Sequence, residues 1–228
     1  LDLAKTGVLP AHKTRRGHWR YNVEAIEKYF DVVVNKPIED VDKPVPQTKP
    51  QPSIGTRLIT NKEHYQEVIE RICKAKSSIK IMTGDFNRFR LKPTAKQGKH
   101  YKDGTPFISY LIDKARQGVP VQIILSDPTK NVKEELDEYF QQQNSYSFET
   151  RNCIRNHAKV MIIDDKIAYI GSANMTKAGL GQYKQGNFEA GILTDDPAMI
   201  SSAKELFSMI WNSDRCEDCY RAKSCIEY

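Results

Sequence analysis

The segment HAKVMIIDDKIAYIGSANMTKAG, residues 157–179, constrains this chain more than any other. Two apolar runs, residues 160–163 and 167–170, flank Asp164, Asp165 and Lys166, which predicts strands at 158–164 and 167–171 joined by a tight turn. A strand with four consecutive apolar residues is buried on both faces, and that requires packed helices on either side of its sheet. Side chains alternate along a strand, so His157 and Lys159 project from the same face and can share one anionic group.

The surrounding pattern agrees. Tyr65, Val68, Ile69, Ile72 and Cys73 recur at helical spacing and predict an amphipathic helix over 61–75, followed by a buried strand at 78–86. A second helix is expected over 107–116, then Gly118 and the apolar run VPVQIIL as a strand. A further strand is expected at 189–194 and a last helix from Pro197 to Trp211. Such alternation means an α/β domain. Prolines at 37, 44, 46, 50 and 52 mark residues 35–55 as a linker, able to separate its flanking units by on the order of 60 Å at about 3.1 Å per residue. The expected organisation is a small unit over 1–34, the linker, and a main domain over 56–228.

His157, one residue, Lys159, four residues, Asp164, six residues, then Gly171-Ser172 and Asn174 resembles the signature of the phospholipase D superfamily, and with Glu189 the likeness extends over residues 57–212. The resemblance implies a mixed sheet flanked by helices and phosphodiester chemistry. A neutral imidazole at His157 can attack phosphorus and form a covalent phosphohistidine. Lys159 and the Asn174 amide can donate to the nonbridging oxygens, with Ser172 as a further donor. Glu189 is expected to accept from the imidazole and fix its tautomer. Asp164 is expected to be structural, held in a turn. No metal or cofactor is implied for the chemistry.

One such set lacks a proton donor for the leaving alkoxide. His12, His18, His64 and His100 sit in no matching motif. Members of the superfamily with a single cassette dimerise to complete the site. A homodimer with one composite centre is therefore expected, one His157 attacking and its mate acting as general acid.

The opening stretch GVLPAHKTRRGHWRYNVEAIEKYF resembles the second half of an excisionase or MerR-type winged helix: the end of a recognition helix, a basic wing, and a closing helix marked by Val23, Ile26, Tyr29 and Phe30. Lys13, Arg15, Arg16, His18 and Arg20 are the candidate DNA-binding residues. A bare surface turn is the alternative. The formal net charge of +6 suits a polyanionic partner. The chain begins with Leu1 rather than Met, and residues are expected to precede it.

Five cysteines without secretory features argue for a reducing, intracellular and cytoplasmic setting. Cys216, Cys219 and Cys225 have the spacing of a structural zinc half-site whose fourth ligand is not obvious, with Cys153 or a residue beyond Tyr228 as the candidates, while reduced surface thiols account for them equally well. No apolar run approaches the roughly 20 residues of a membrane span, so no membrane partner is expected. Three functions remain: a DNA endonuclease, a phospholipid-cleaving phospholipase D, and a non-catalytic DNA-binding regulator on the same fold.

Overall fold

The computed structural model describes residues 11–13, 19–21, 53–92, 104–141, 147–221 and 225. The chain divides into two units, Leu1–Gln51 and Pro52–Tyr228.

In the first unit, β1 (Ala11–Lys13) pairs antiparallel with β2 (Trp19–Tyr21), His12 opposite Arg20 and Lys13 opposite Trp19. This pairing brackets residues 14–18, where the sequence places its basic turn. Arg15, Arg16 and His18 lie outside the described residues, as do the helix expected at 23–30 and the linker over 35–52.

The second unit is built on a seven-stranded mixed sheet in the order β3-β9-β8-β7-β4-β5-β6. Its strands are β3 (Thr56–Thr60), β4 (Ile79–Phe86), β5 (Val121–Pro128), β6 (Phe148–Asn152), β7 (Lys159–Ile163), β8 (Ile167–Gly171) and β9 (Ala190–Thr194). β4 runs parallel to β5, and β5 to β6; every other neighbouring pair is antiparallel. Helix α1 starts as a π-helical stretch, His64–Ile69, and continues as the α-helix Glu70–Lys74. Its wider first turns differ from the plain α-helix expected there, and they turn both His64 and Tyr65 into the interior. The remaining helices are α2 (Phe107–Arg116), α3 (Lys130–Gln141) and α4 (Pro197–Trp211).

β7 explains why the sheet needs cover on both sides. All five of its residues are buried. Met161 and Ile163 join the large core beneath α1, α2 and α3, whereas Val160 and Ile162 join the smaller core beneath Ile200, Ala203 and Phe207 of α4. The Asp196 side chain caps α4 by accepting from Met199 N at 2.9 Å, and Pro197 starts the helix where its missing N–H costs nothing.

Three elements were not anticipated from the sequence. β3 and β6 are edge strands burying only Ile59 and Phe148 completely, so neither carries a strong apolar alternation. α3 is rich in charge and buries only Val132, Leu136 and Tyr139. Among the described residues no helix is long and apolar enough to cross a membrane.

Candidate active site

β7 delivers the first part of the site. Lys159, its first residue, is 6% exposed, and its Nζ donates to the His157 carbonyl at 2.7 Å and lies 3.2 Å from His157 Nδ1. His157 itself is exposed. Burial pulls the Lys159 pKa down, against the opposing pull of the Asp85 and Glu189 carboxylates that face it.

The turn after β8 supplies the second part. The Tyr169 ring lies over Gly171 and Gly191, where any Cβ would collide with it. This is the physical reason for glycine before Ser172. The Tyr169 hydroxyl accepts from Ala173 N at 3.2 Å and fixes the turn leading to Asn174. Burial pushes the Tyr169 phenol up to about 12, which keeps it protonated.

The end of β4 supplies the third part, which the sequence reading missed. Asn174 Oδ1 accepts from Asp85 N at 3.1 Å and from Thr83 Oγ1 at 3.3 Å, and Asn174 Nδ2 donates to Asp85 Oδ2 at 2.9 Å. Between Thr83 and Asp85 sits Gly84. A Cβ there would stand 3.3 Å from Asn174 Oδ1, 3.5 Å from Lys159 Nζ and 3.8 Å from His157 Cδ2. The imidazole, the ammonium and the amide therefore converge on one hollow that glycine leaves open. A Gly-Asp pair near the end of a largely buried strand was the available signal. Asn156, 3% exposed, braces the floor by donating to the Thr83 carbonyl at 2.9 Å and accepting from Ala158 N at 3.2 Å.

The other expected site residues fall differently. The Ser172 hydroxyl donates to Glu189 Oε2, and Asn187 Nδ2 donates to Glu189 Oε1 at 3.0 Å. Glu189 thus faces Lys159 but gives its carboxylate to Ser172 and Asn187 rather than to the imidazole, and Ser172 spends its proton on Glu189. Asp164 stands at the opposite end of β7, about 16 Å from Lys159 at about 3.3 Å per residue. It accepts from Lys76 N at 2.9 Å, Ser77 N at 2.6 Å, Ser78 N at 3.1 Å and Ser77 Oγ at 3.0 Å. These contacts tie the β7–β8 turn to the start of β4, away from the cluster around His157. Burial alone would raise the Asp164 pKa, but the backbone donors Ser77, Ser78 and Lys76 outweigh that and hold it low.

The zinc reading of the C-terminal cysteines finds no support in the arrangement of the described residues. Among the described residues, which include Cys153, Cys216, Cys219 and Cys225, no three His, Cys, Asp or Glu side chains gather to hold a metal ion. Cys219 Sγ instead accepts from Arg155 Nη1 at 3.6 Å.

Comparison with known proteins follows the same lines. The solved structures of NucT from Helicobacter pylori and of Nuc from Salmonella typhimurium, a phospholipase D family member, share the fold, each with a TM-score of 0.50. NucT is 22% identical, matching 76% of this chain and 98% of its own; Nuc is 18% identical, matching 76% and 97%. Cardiolipin synthase 1 of Staphylococcus aureus strain MRSA252 is 26% identical over 169 residues, which is 68% of this chain. The chain spans only 31% of that relative's length. Residues 68–211 match the family described as cardiolipin synthase, PLD-like domain. From β4 through α4, with the His157, Lys159 and Asn174 cluster at its centre, the chain belongs to the phospholipase D superfamily.

Proposed function

We propose that this chain is a phosphodiesterase that cuts DNA through a covalent phosphohistidine, as a homodimer with a shared centre. The observation that carries the reading is the hollow over Gly84, where His157, Lys159 and Asn174 meet. A phosphodiester seated there places its phosphorus against the exposed imidazole and its nonbridging oxygens against the ammonium and the amide. Charge building on those oxygens is met by fixed donors, so the step calls for no metal ion.

Attack through Nε2 needs the ring proton on Nδ1 and an acceptor for it. Lys159 cannot serve as that acceptor, and Glu189 of the same chain is held by Ser172 and Asn187. The leaving alkoxide also needs a proton. His64 is fully buried, with Nδ1 2.9 Å from the Asn61 carbonyl, and cannot reach the hollow. Both gaps support a second copy as the source of the missing groups, with the partner's imidazole as acid. DNA as substrate is favoured by the excess of cations and by the basic stretch of sequence with Lys13, Arg15, Arg16, His18 and Arg20.

Phosphatidyl transfer is the rival, because the matched relative is named a cardiolipin synthase. The chemistry at His157 would be the same and only the ester would differ. Incubation with plasmid and oligonucleotide DNA in excess EDTA, alongside phosphatidylglycerol vesicles, separates the two. Cleaved DNA with unchanged lipid is the expected result; lipid turnover without DNA cleavage would replace the first reading with the second.

A further inference from the structure

The cysteines that fail to form a metal cluster are arranged for a different chemistry. Cys216 and Cys219 bracket a tight turn, closed by the Cys219 N–H donating to the Cys216 carbonyl at 3.2 Å. Such a turn holds its end Cα atoms within about 7 Å. A disulfide spans Cα separations of roughly 4.4–6.8 Å, so the backbone already offers a bondable pair. Cys216 is exposed and Cys219 half-buried.

Arg155 adds the second element. Its guanidinium donates to Cys219 Sγ at 3.6 Å and lies 5.5 Å from the centre of the Tyr220 ring. A guanidinium beside a sulfur favours thiolate over thiol, and the thiolate is the nucleophile in disulfide exchange. The reciprocal effect is visible on Arg155, whose pKa is raised by the Cys219 contact. Arg155 also belongs to the segment that delivers His157, next to the buried Asn156 that braces β4. One charged contact therefore joins the cysteine turn to the run of chain ending in the exposed imidazole.

We propose that Cys216 and Cys219 form a reversible disulfide with low-molecular-weight disulfides as oxidant, and that closing it frees Arg155 and loosens the segment carrying His157. The Cys219 thiolate attacks one sulfur of the small disulfide; that S–S bond breaks, a mixed disulfide forms and one small thiolate leaves. The Cys216 thiol gives its proton to solvent and attacks the Cys219 sulfur, expelling the second small thiolate. The small thiolates take up the protons released. Two protein thiols are thereby oxidised by two electrons while one small disulfide is reduced to two thiols. Cys219 in a disulfide has no charge, so the charge-assisted bond from Arg155 is lost.

The test equilibrates the full chain in glutathione buffers from reducing to oxidising, quenches with acid, and maps the cysteines by mass spectrometry. A Cys216–Cys219 disulfide that dithiothreitol reverses is expected. Iodoacetamide should alkylate Cys219 several-fold faster than Cys216, and R155Q should remove that difference. The coupling is read without relying on turnover, from the rate at which diethyl pyrocarbonate acylates His157: oxidation should raise it several-fold, and C216S should abolish the response. Absence of the disulfide at every ratio, or stoichiometric zinc protecting both thiols in the purified chain, would overturn the site. An unchanged His157 rate in the oxidised chain would overturn the coupling.

Discussion

Asn174 and Asp85 hold each other by a pair of reciprocal hydrogen bonds, Asp85 N to Asn174 Oδ1 at 3.1 Å and Asn174 Nδ2 to Asp85 Oδ2 at 2.9 Å. The pair joins the end of β4 to the turn after β8. It leaves one N–H of the Asn174 amide for a phosphoryl oxygen and sets its direction. Asp85→Ala should therefore lower kcat for a chromogenic phosphodiester such as bis(p-nitrophenyl) phosphate by about 10–100-fold, through misplacement of a donor rather than its removal. Unchanged kcat in a folded variant would show that Asn174 needs no such support.

Gly84→Ala tests the hollow itself. The new methyl would stand 3.3 Å from Asn174 Oδ1 and 3.5 Å from the Lys159 ammonium, filling the hollow and displacing the groups around it. Hydrolysis should fall by about 100-fold while the far-ultraviolet circular dichroism stays that of the parent. Activity near the parent's would move the substrate away from Gly84.

Asp164→Asn addresses stability rather than chemistry. The folded pKa of Asp164 is depressed, so its contribution is complete above the unfolded value of about 3.9 and disappears as pH falls through the folded value. Asparagine keeps the left-handed backbone at φ 55° easily and removes only the charge. The carboxylate is partly exposed and screened, so the loss at pH 7 should be about 1 kcal/mol by urea titration. The two stability curves should converge once the pH falls below the folded value. A constant offset across that range would mean that charge is not what the three backbone N–H groups recognise.

Physical coupling decided how much of the site was legible in the sequence. His157, Lys159 and Asn174 share one strand, turn, strand unit, so local spacing alone groups them. Asp85 and Gly84 come from β4, and only the antiparallel register of β4 with β7, Met82 opposite Val160, brings them alongside. No local pattern carries that information. Glu189 illustrates the opposite error. Its position in the chain was right for the site, but the Ser172 hydroxyl and the Asn187 amide compete for its carboxylate, and such competition is visible only in three dimensions. Edge strands β3 and β6 escaped notice because each fully buries a single side chain, Ile59 and Phe148, too few to make a pattern like the continuous apolar run of β7.

An apolar row across the sheet, exposed at Leu58 and half-buried at Ile192 and Ile170, offers the proposed homodimer a surface to use. Leu58 pairs with Ile192, and Ile192 with Ile170, so the three share one face. α4 covers the same face further along, at Val160 and Ala168, and leaves Leu58 62% exposed, with Phe188 beside this end of the sheet 97% exposed. Leu58→Asp costs no core packing and should convert a dimer into folded monomers in sedimentation velocity, with phosphodiester hydrolysis falling at least tenfold. A dimer that survives both Leu58→Asp and Phe188→Asp must use another face.

The shared centre is tested most severely by mixing. If each centre takes its nucleophile from one His157 and its acid from the partner's, a dimer of parent and His157→Ala chains lacks one of the two for any normal leaving group. The variant chain then silences its partner. Random pairing of equal amounts leaves roughly a quarter of dimers with both imidazoles, and activity should fall to that share. Independent centres would instead leave about half, because every parent chain would still contribute. A substrate with p-nitrophenolate as leaving group sharpens the comparison, since a good leaving group needs little help from an acid. Mixed dimers should regain activity on that substrate and not on DNA. Equal silencing on both substrates would leave the acid role of the second imidazole without support, and activity proportional to the parent fraction on DNA would reject the shared centre.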